Sequence, residues 1–124
     1  MDKKIITTAN VRPAGPYSPA VEAGGFVFLS GRVATDPVTD RLIMEIEPAC
    51  QQLLENIKDF LEQIGLSMNH VVKTTVFLRD MRDFAVMNEI YAGFFPEAPP
   101  ARSTVQVAAL PGGAPLEIEL IAHR

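Results

Sequence analysis

The chain has 124 residues, enough for one domain spanning 1–124, and 48% of them are hydrophobic, which suits a folded globule. A formal net charge of −4 without blocks of like charge argues against the basic footprint of a nucleic-acid binder, and no stretch approaches the ~20 apolar residues of a membrane span. A single cysteine, Cys50, excludes an internal disulfide and a Cys-rich metal site, and no leader peptide pattern opens the sequence, so a cytoplasmic location is expected.

Residues 3–8 form a β-branched run, expected as an edge strand. Residues 9–19 hold three prolines and a glycine and read as an ordered loop. Ala20–Ala23 and Phe26–Ser30 read as strands of a hairpin turning at Gly24-Gly25, and a further turn is expected at Asp36-Pro37-Val38-Thr39-Asp40. Cys50, Leu53, Leu54, Ile57, Leu61 and Ile64 fall on one helical stripe, with Pro48 suited to the first helical position and Gly65 to the stop. Between Val71 and Arg79 both alternating faces are apolar or β-branched, as in a central strand. Phe84, Met87, Tyr91 and Phe94 then repeat at helical spacing behind two candidate caps, Asp80 and Asp83, until Pro96, Pro99 and Pro100 end the helix.

The last stretch, Pro100–Glu119, reads as two strands joined by the loop Leu110–Pro115. Alternation puts Leu116, Ile118 and Leu120 on one face and Glu117 and Glu119 on the other; on the preceding strand Arg102, Thr104 and Gln106 oppose Val105 and Val107. If the two strands are neighbours, Arg102 and one or two carboxylates share a side. An arginine fork suits a carboxylate ligand and a glutamate can move protons; a cross-strand ion pair on a wet face is the competing explanation.

The order of elements predicts an α+β fold of two layers, a mixed six-stranded sheet with two helices on one face. Its other face, expected to hold Phe77, Ile121, Val71 and parts of the hairpin, is not polar, which predicts a homo-oligomer with sheets facing one another. Histidines His70 and His123 are far apart in sequence and suggest no metal site, and neither a nucleophile elbow nor a phosphate-cradling glycine loop is present. Cys50 reads as a small buried hydrophobe. Tyr17 in its Gly-Pro loop, Ser30-Gly31 at a strand end and Asn88 in mid-helix are candidate ligand contacts, each also explicable as packing, turn chemistry or solvent exposure.

Together, Gly15-Pro16-Tyr17-Ser18, Leu29-Ser30-Gly31, Val72-Lys73-Thr74-Thr75-Val76-Phe77, Asn88 with Tyr91, Pro100-Ala101-Arg102-Ser103 and Leu116-Glu117-Ile118-Glu119 resemble the RidA/YjgF family, also called the L-PSP endoribonuclease family, over essentially the whole chain. The resemblance implies a fold like the Bacillus type of chorismate mutase, assembled as a homotrimer with the sheets in a central barrel and active sites in clefts between subunits. It implies hydrolysis of 2-enamino and 2-imino acids such as 2-aminoacrylate and 2-iminobutanoate, released by pyridoxal-phosphate enzymes, to 2-keto acids and ammonia, without a cofactor. Arg102 is then expected to clamp the substrate carboxylate and Glu117 to hold the water or shuttle its proton. Ser30, Gly31 and the backbone of Thr104 would hold the polar end, Tyr17, of the same or the neighbouring subunit, would cover the pocket, and Phe84 and Asn88 would lie nearby. Two departures stand out: Thr104 where many members have cysteine, and Arg32 where many have glutamine. The competing functions are an endoribonuclease or translation inhibitor, and a trimer that binds 2-keto acids or acts as a chaperone without turnover.

Overall fold

The structure, a computed structural model, describes residues 2–8, 11 and 15–124. Six strands, Lys4–Ile6 (β1), Ala20–Ala23 (β2), Phe26–Val33 (β3), Val71–Leu78 (β4), Ala101–Gln106 (β5) and Leu116–His123 (β6), form one sheet in the order β1-β2-β3-β6-β4-β5. Every neighbouring pair is antiparallel except β4 and β5, so the sheet is mixed. Helices Ile46–Gln63 (α1) and Phe84–Phe94 (α2) pack against one face of it, giving the expected two-layer α+β arrangement.

The β2–β3 hairpin turns on Gly24 and Gly25, whose φ angles of 59° and 82° are left-handed and favour glycine. β3 runs three residues past the expected end at Ser30, and its register against β6 slips between Leu29 and Arg32. This irregularity lies at Ser30-Gly31. The loop expected over 9–19 is described only in part; residues 9, 10 and 12–14 lie outside the described residues.

α1 starts at Ile46, two residues before the Pro48 expected as its first position. A proline is tolerated there because N–H groups of the first turn have no intrahelical partner. At the other end Gly65, with φ 82°, lets its own N–H reach Glu62 O and that of Leu66 reach Leu61 O, which satisfies the last carbonyls. The stripe of α1 is buried at Cys50, Leu53, Leu54, Ile57 and Leu61, with Ala49 and Phe60 beside it, against Val76, Leu116 and Ile118 of the sheet. Burial pushes the Cys50 thiol up to about 12, so it behaves as a small hydrophobe.

Three strand-level expectations are corrected. Val71 is buried on the helix side opposite Ala122, because an irregularity between Val71 and Lys73 shifts the alternation and leaves Val72 exposed. Val107 follows the end of β5. Most consequentially, β5 and β6 are not neighbours. The segment 107–115 passes over the end of β4, tied by Val107 N–H to Leu78 O (3.0 Å), Arg79 N–H to Pro115 O (3.0 Å) and Arg79 Nη1 to Gly113 O (2.7 Å), so that β4 lies between them.

The face without helices carries Phe26, Phe28 and Val105, each more than 40% exposed, with Phe77 and Ile121 half-buried among them.

Candidate functional site

Directly paired strand residues point to the same side of a sheet. β5 pairs Arg102 with Thr74 and Thr104 with Val76. Thr74 faces α2, where its hydroxyl lies 2.7 Å from that of Tyr91. Arg102 and Thr104 therefore also face the helix layer. The Arg102 guanidinium lies 4.8 Å from the centre of the Tyr91 ring and 5.7 Å from that of Phe84, and its Nη1 is 3.9 Å from Met87 Sδ. Among the described residues no carboxylate pairs with it. A cation over aromatic faces, whose only side-chain hydrogen bond among the described residues is the weak one to Met87 Sδ, is suited to an incoming carboxylate. Next to it, Thr104 Oγ1 is buried without a hydrogen-bond partner. Asn88, half-buried one turn after Phe84, makes no side-chain hydrogen bond with described residues. β5 is an edge strand, so part of its backbone is also unclaimed by the sheet. Burial raises the pKa of Tyr91, against the opposing effects of its Thr74 bond and the Arg102 charge, and keeps it a neutral phenol.

Glu117 pairs with Phe77 on β4 and Val33 on β3, and its chain neighbours Leu116 and Ile118 are fully buried under the helices. It therefore projects from the open face. Burial, and then the like charge of Glu119 two residues on, raise its pKa. Gly31 lies against it: a Cβ there would come within 2.9 Å of Glu117 Cδ and Oε2. The Ser30 hydroxyl donates to Ser18 O at 2.7 Å, so its oxygen is left as an acceptor. Tyr17, 49% exposed, is held in a tight bend by its N–H to Gly15 O (2.8 Å).

The candidate residues thus fall into two sets, Arg102 with Phe84, Asn88 and Thr104 on the helix side, and Glu117 against Gly31, with Ser30 next to Gly31 tying down the loop that carries Tyr17. The expectation that Arg102 and Glu117 share a side of neighbouring strands is wrong for a single chain. They sit on opposite faces, with β4 between their strands, and a cross-strand ion pair between them is excluded as well. A cleft of about 410 Å³ between α1 and α2, lined by Glu55, Glu62, Met68, Ile90 and Phe94, contains neither group.

The family model described as endoribonuclease L-PSP matches residues 7–124. The chain belongs to the RidA/YjgF family. It is 48% identical over 124 residues to a RutC family protein from Pyrococcus horikoshii, covering 98% of each. It is 43% identical over 125 residues to a protein of Salmonella typhimurium named 2-iminobutanoate/2-iminopropanoate deaminase, again covering 98% of each. The crystal structure of RidA from a Psychrobacter species superposes with a TM-score of 0.92 at 43% identity, covering 98% of this chain and 99% of that one.

For a RidA-family chain, the residue that sequence reasoning left out of the site is Tyr91. It falls in the helical repeat of Phe84, Met87, Tyr91 and Phe94 and among the residues of the family resemblance, but not among the candidate ligand contacts. The signal was its hydroxyl, since a buried tyrosine needs a polar partner and here takes Thr74 while lending its face to Arg102. Met87, which closes the same guanidinium from below, gives no such signal.

Proposed function

We propose that the protein is a hydrolytic deaminase of reactive 2-imino and 2-enamino acids, working as a homotrimer in which each active site joins the Arg102 group of one copy to the Glu117 group of the next. The observation that carries this reading is the Arg102 guanidinium, aligned on Tyr91 and lacking an acid partner, with the unpartnered Thr104 hydroxyl beside it. It is a ready receptor for the carboxylate of a small 2-imino acid. The name of the Salmonella relative supports the choice of substrate, and the exposed Phe26, Phe28 and Val105 support assembly through the open face.

In the proposed reaction Arg102 holds the carboxylate through both donors of its fork. Glu117, whose environment favours the protonated form more than an ordinary carboxylate's does, takes a proton from water as the oxygen adds to the C=N carbon. The same carboxyl then returns that proton to nitrogen, and in the collapse of the tetrahedral adduct it carries the new hydroxyl's proton to the amine, so that the C–N bond breaks, ammonia leaves and the C=O of the 2-keto acid forms. The Ser30 oxygen accepts from the substrate N–H, Thr104 donates to the carboxylate, and Tyr17, Phe84 and Asn88 line the pocket. Imines hydrolyse readily in water, so orientation and one proton-transfer group suffice, and no cofactor is invoked.

Subunit complementation tests this. Arg102→Ala and Glu117→Gln are each expected to lose imine hydrolysis, measured as keto-acid release from threonine with a dehydratase present. Unfolded together and refolded in equal amounts, they should regain about a quarter of wild-type sites, because random assembly brings an intact Arg102 to an intact Glu117 in roughly one interface of four. Absence of recovery in a mixture shown to be co-assembled would overturn the shared site, and a wild type that does not accelerate the reaction would overturn the activity.

A further inference from the structure

Apart from Tyr91, Thr74 is the one buried residue among the described residues with an oxygen or nitrogen in its side chain. It stands in the sheet between Leu120 of β6 and Arg102 of β5, and its hydroxyl is joined to that of Tyr91 on α2 by a hydrogen bond of 2.7 Å. Stability alone does not call for this pair. A valine and a phenylalanine would fill much the same space, and exchanging both partners of a buried hydrogen bond for apolar groups of the same shape is close to neutral. A buried hydroxyl is costly whenever its partner strays. What the polar pair adds is direction.

The direction it fixes is that of the Tyr91 ring. One end of the ring's long axis is tied to the backbone through Cβ, and the bond to Thr74 pins the other end, Oη. Rotation about that axis remains, and Phe95 restricts it, with its ring centre 4.7 Å from that of Tyr91 and tilted by 40°. Thr74 suits the task, because a branched Cβ leaves few choices of χ1 and burial keeps water from competing for the bond.

The pinned ring faces Arg102. Thr74 and Arg102 are direct partners across β4 and β5, and the guanidinium lies 4.8 Å from the centre of the Tyr91 ring. Arg102 stands on an edge strand, has no acid partner among the described residues and reaches Met87 Sδ only weakly, at 3.9 Å. Phe84, 5.7 Å away and at the surface, is the looser of its two aromatic supports. A long side chain so little tethered keeps much rotamer freedom, and an anion that binds it must remove that freedom unless the protein has already done so.

We propose that Thr74 and Tyr91 are a positioning pair for the carboxylate receptor: neither touches the substrate, and the bond between them fixes the ring that holds the Arg102 fork ready. The inference rests on the deaminase reading and adds to it two residues that act through Arg102.

Four variants test it: Tyr91→Phe, Thr74→Val, the two together, and Thr74→Ser. Each is measured for thermal midpoint, for calorimetric affinity towards 2-oxobutanoate as a product-like probe, and for KM of imine hydrolysis. Freeing one long side chain should weaken binding roughly three- to ten-fold, and raise KM by the same factor, in Tyr91→Phe, in Thr74→Val and in the double variant. The double variant should still recover most of the midpoint that Tyr91→Phe loses, since no buried hydroxyl is then left unpaired. Thr74→Ser keeps the hydroxyl and loses a buried methyl, so its midpoint should fall while its affinity stays within about two-fold of wild type. A double variant that binds the probe like wild type, or affinities that follow the midpoints through the series, would overturn the proposal and leave the deaminase reading standing. A wild type that neither binds the probe nor hydrolyses imines would overturn both.

Discussion

Gly31→Ala is the sharpest single perturbation of the Glu117 group. Gly31 has no left-handed φ, so the glycine is required by space and not by backbone conformation. The added methyl carbon would stand 2.9 Å from Glu117 Cδ and Oε2 and 3.3 Å from Cγ. Ordinary carbon contacts are ~3.5–4.0 Å, so the carboxyl group must retreat by about 0.6–1 Å. It is the end of a flexible side chain on a half-exposed face, and its retreat should cost stability only near the low end of the ~1–3 kcal/mol typical of overpacking. Misplacing a reacting group by about 1 Å can cost roughly a hundred-fold in rate, or about 2.7 kcal/mol of barrier. The expected result is therefore a protein that unfolds within a few degrees of wild type but hydrolyses imines roughly a hundred-fold more slowly. Glu117→Asp, one methylene shorter, should relieve the clash in the double variant and recover the lost stability, but not the rate. A Gly31→Ala protein with the wild-type rate would show that the Glu117 carboxyl takes no part in the reaction where it stands.

Arg102→Lys keeps the charge but loses the fork, and should raise KM for imine hydrolysis roughly ten-fold or more with little change in thermal midpoint. Tyr91→Phe leaves the Thr74 hydroxyl, 1% exposed, without its partner at 2.7 Å, and chemical denaturation should report a loss of about 1–3 kcal/mol, largely recovered in Tyr91→Phe with Thr74→Val. Glu119→Gln removes the like charge that disfavours ionised Glu117, so the acidic limb of the pH–rate profile should move to lower pH. The same raised pKa bears on stability: the folded state holds this proton more tightly than the unfolded chain, so the contribution is full below the ordinary value of 4.5 and is lost as pH rises through the raised one. Glu117→Gln should accordingly abolish that part of the pH dependence of unfolding.

Much of the fold was legible because local signals were unambiguous. The Gly24-Gly25 turn, the α1 stripe and the prolines after α2 each state their structure within a few residues. Element ends were less so: Pro48 is compatible with any position in the first turn, and only the tertiary contacts of Ile46 decide where α1 begins. The strand irregularities at Ser30-Gly31 and after Val71 were not legible, since alternation presumes an unbroken register. The most consequential difference concerns the two strands of Pro100–Glu119, which are not neighbours. Their loop has ample Gly and Pro for a hairpin, but loop composition does not reveal that another strand occupies the gap. The parallel pairing of β4 with β5 is long-range information, fixed by α2 crossing between them. How the candidate site residues group in space depended on that pairing.

The strand order also decides whether alternation along Pro100–Glu119 can bring Arg102 and Glu117 together in one chain. Paired residues keep to one side of a sheet, and Arg102 belongs with Thr74 while Glu117 belongs with Phe77. Neither side chain can cross the sheet between them, so no rotamer change within one chain brings a guanidinium and this carboxyl to the same small molecule. Each group is nonetheless prepared in a way that serves no purpose in isolation: one is a cation aligned on rings without an anion, the other an acid crowded by a glycine and a second acid. The same open face that presents Glu117 also exposes Phe26, Phe28 and Val105, so burial of apolar surface is available to drive another copy onto it. On the proposed function, association and chemistry are therefore one requirement: the surface that would make a lone chain sticky is the surface that completes its active site.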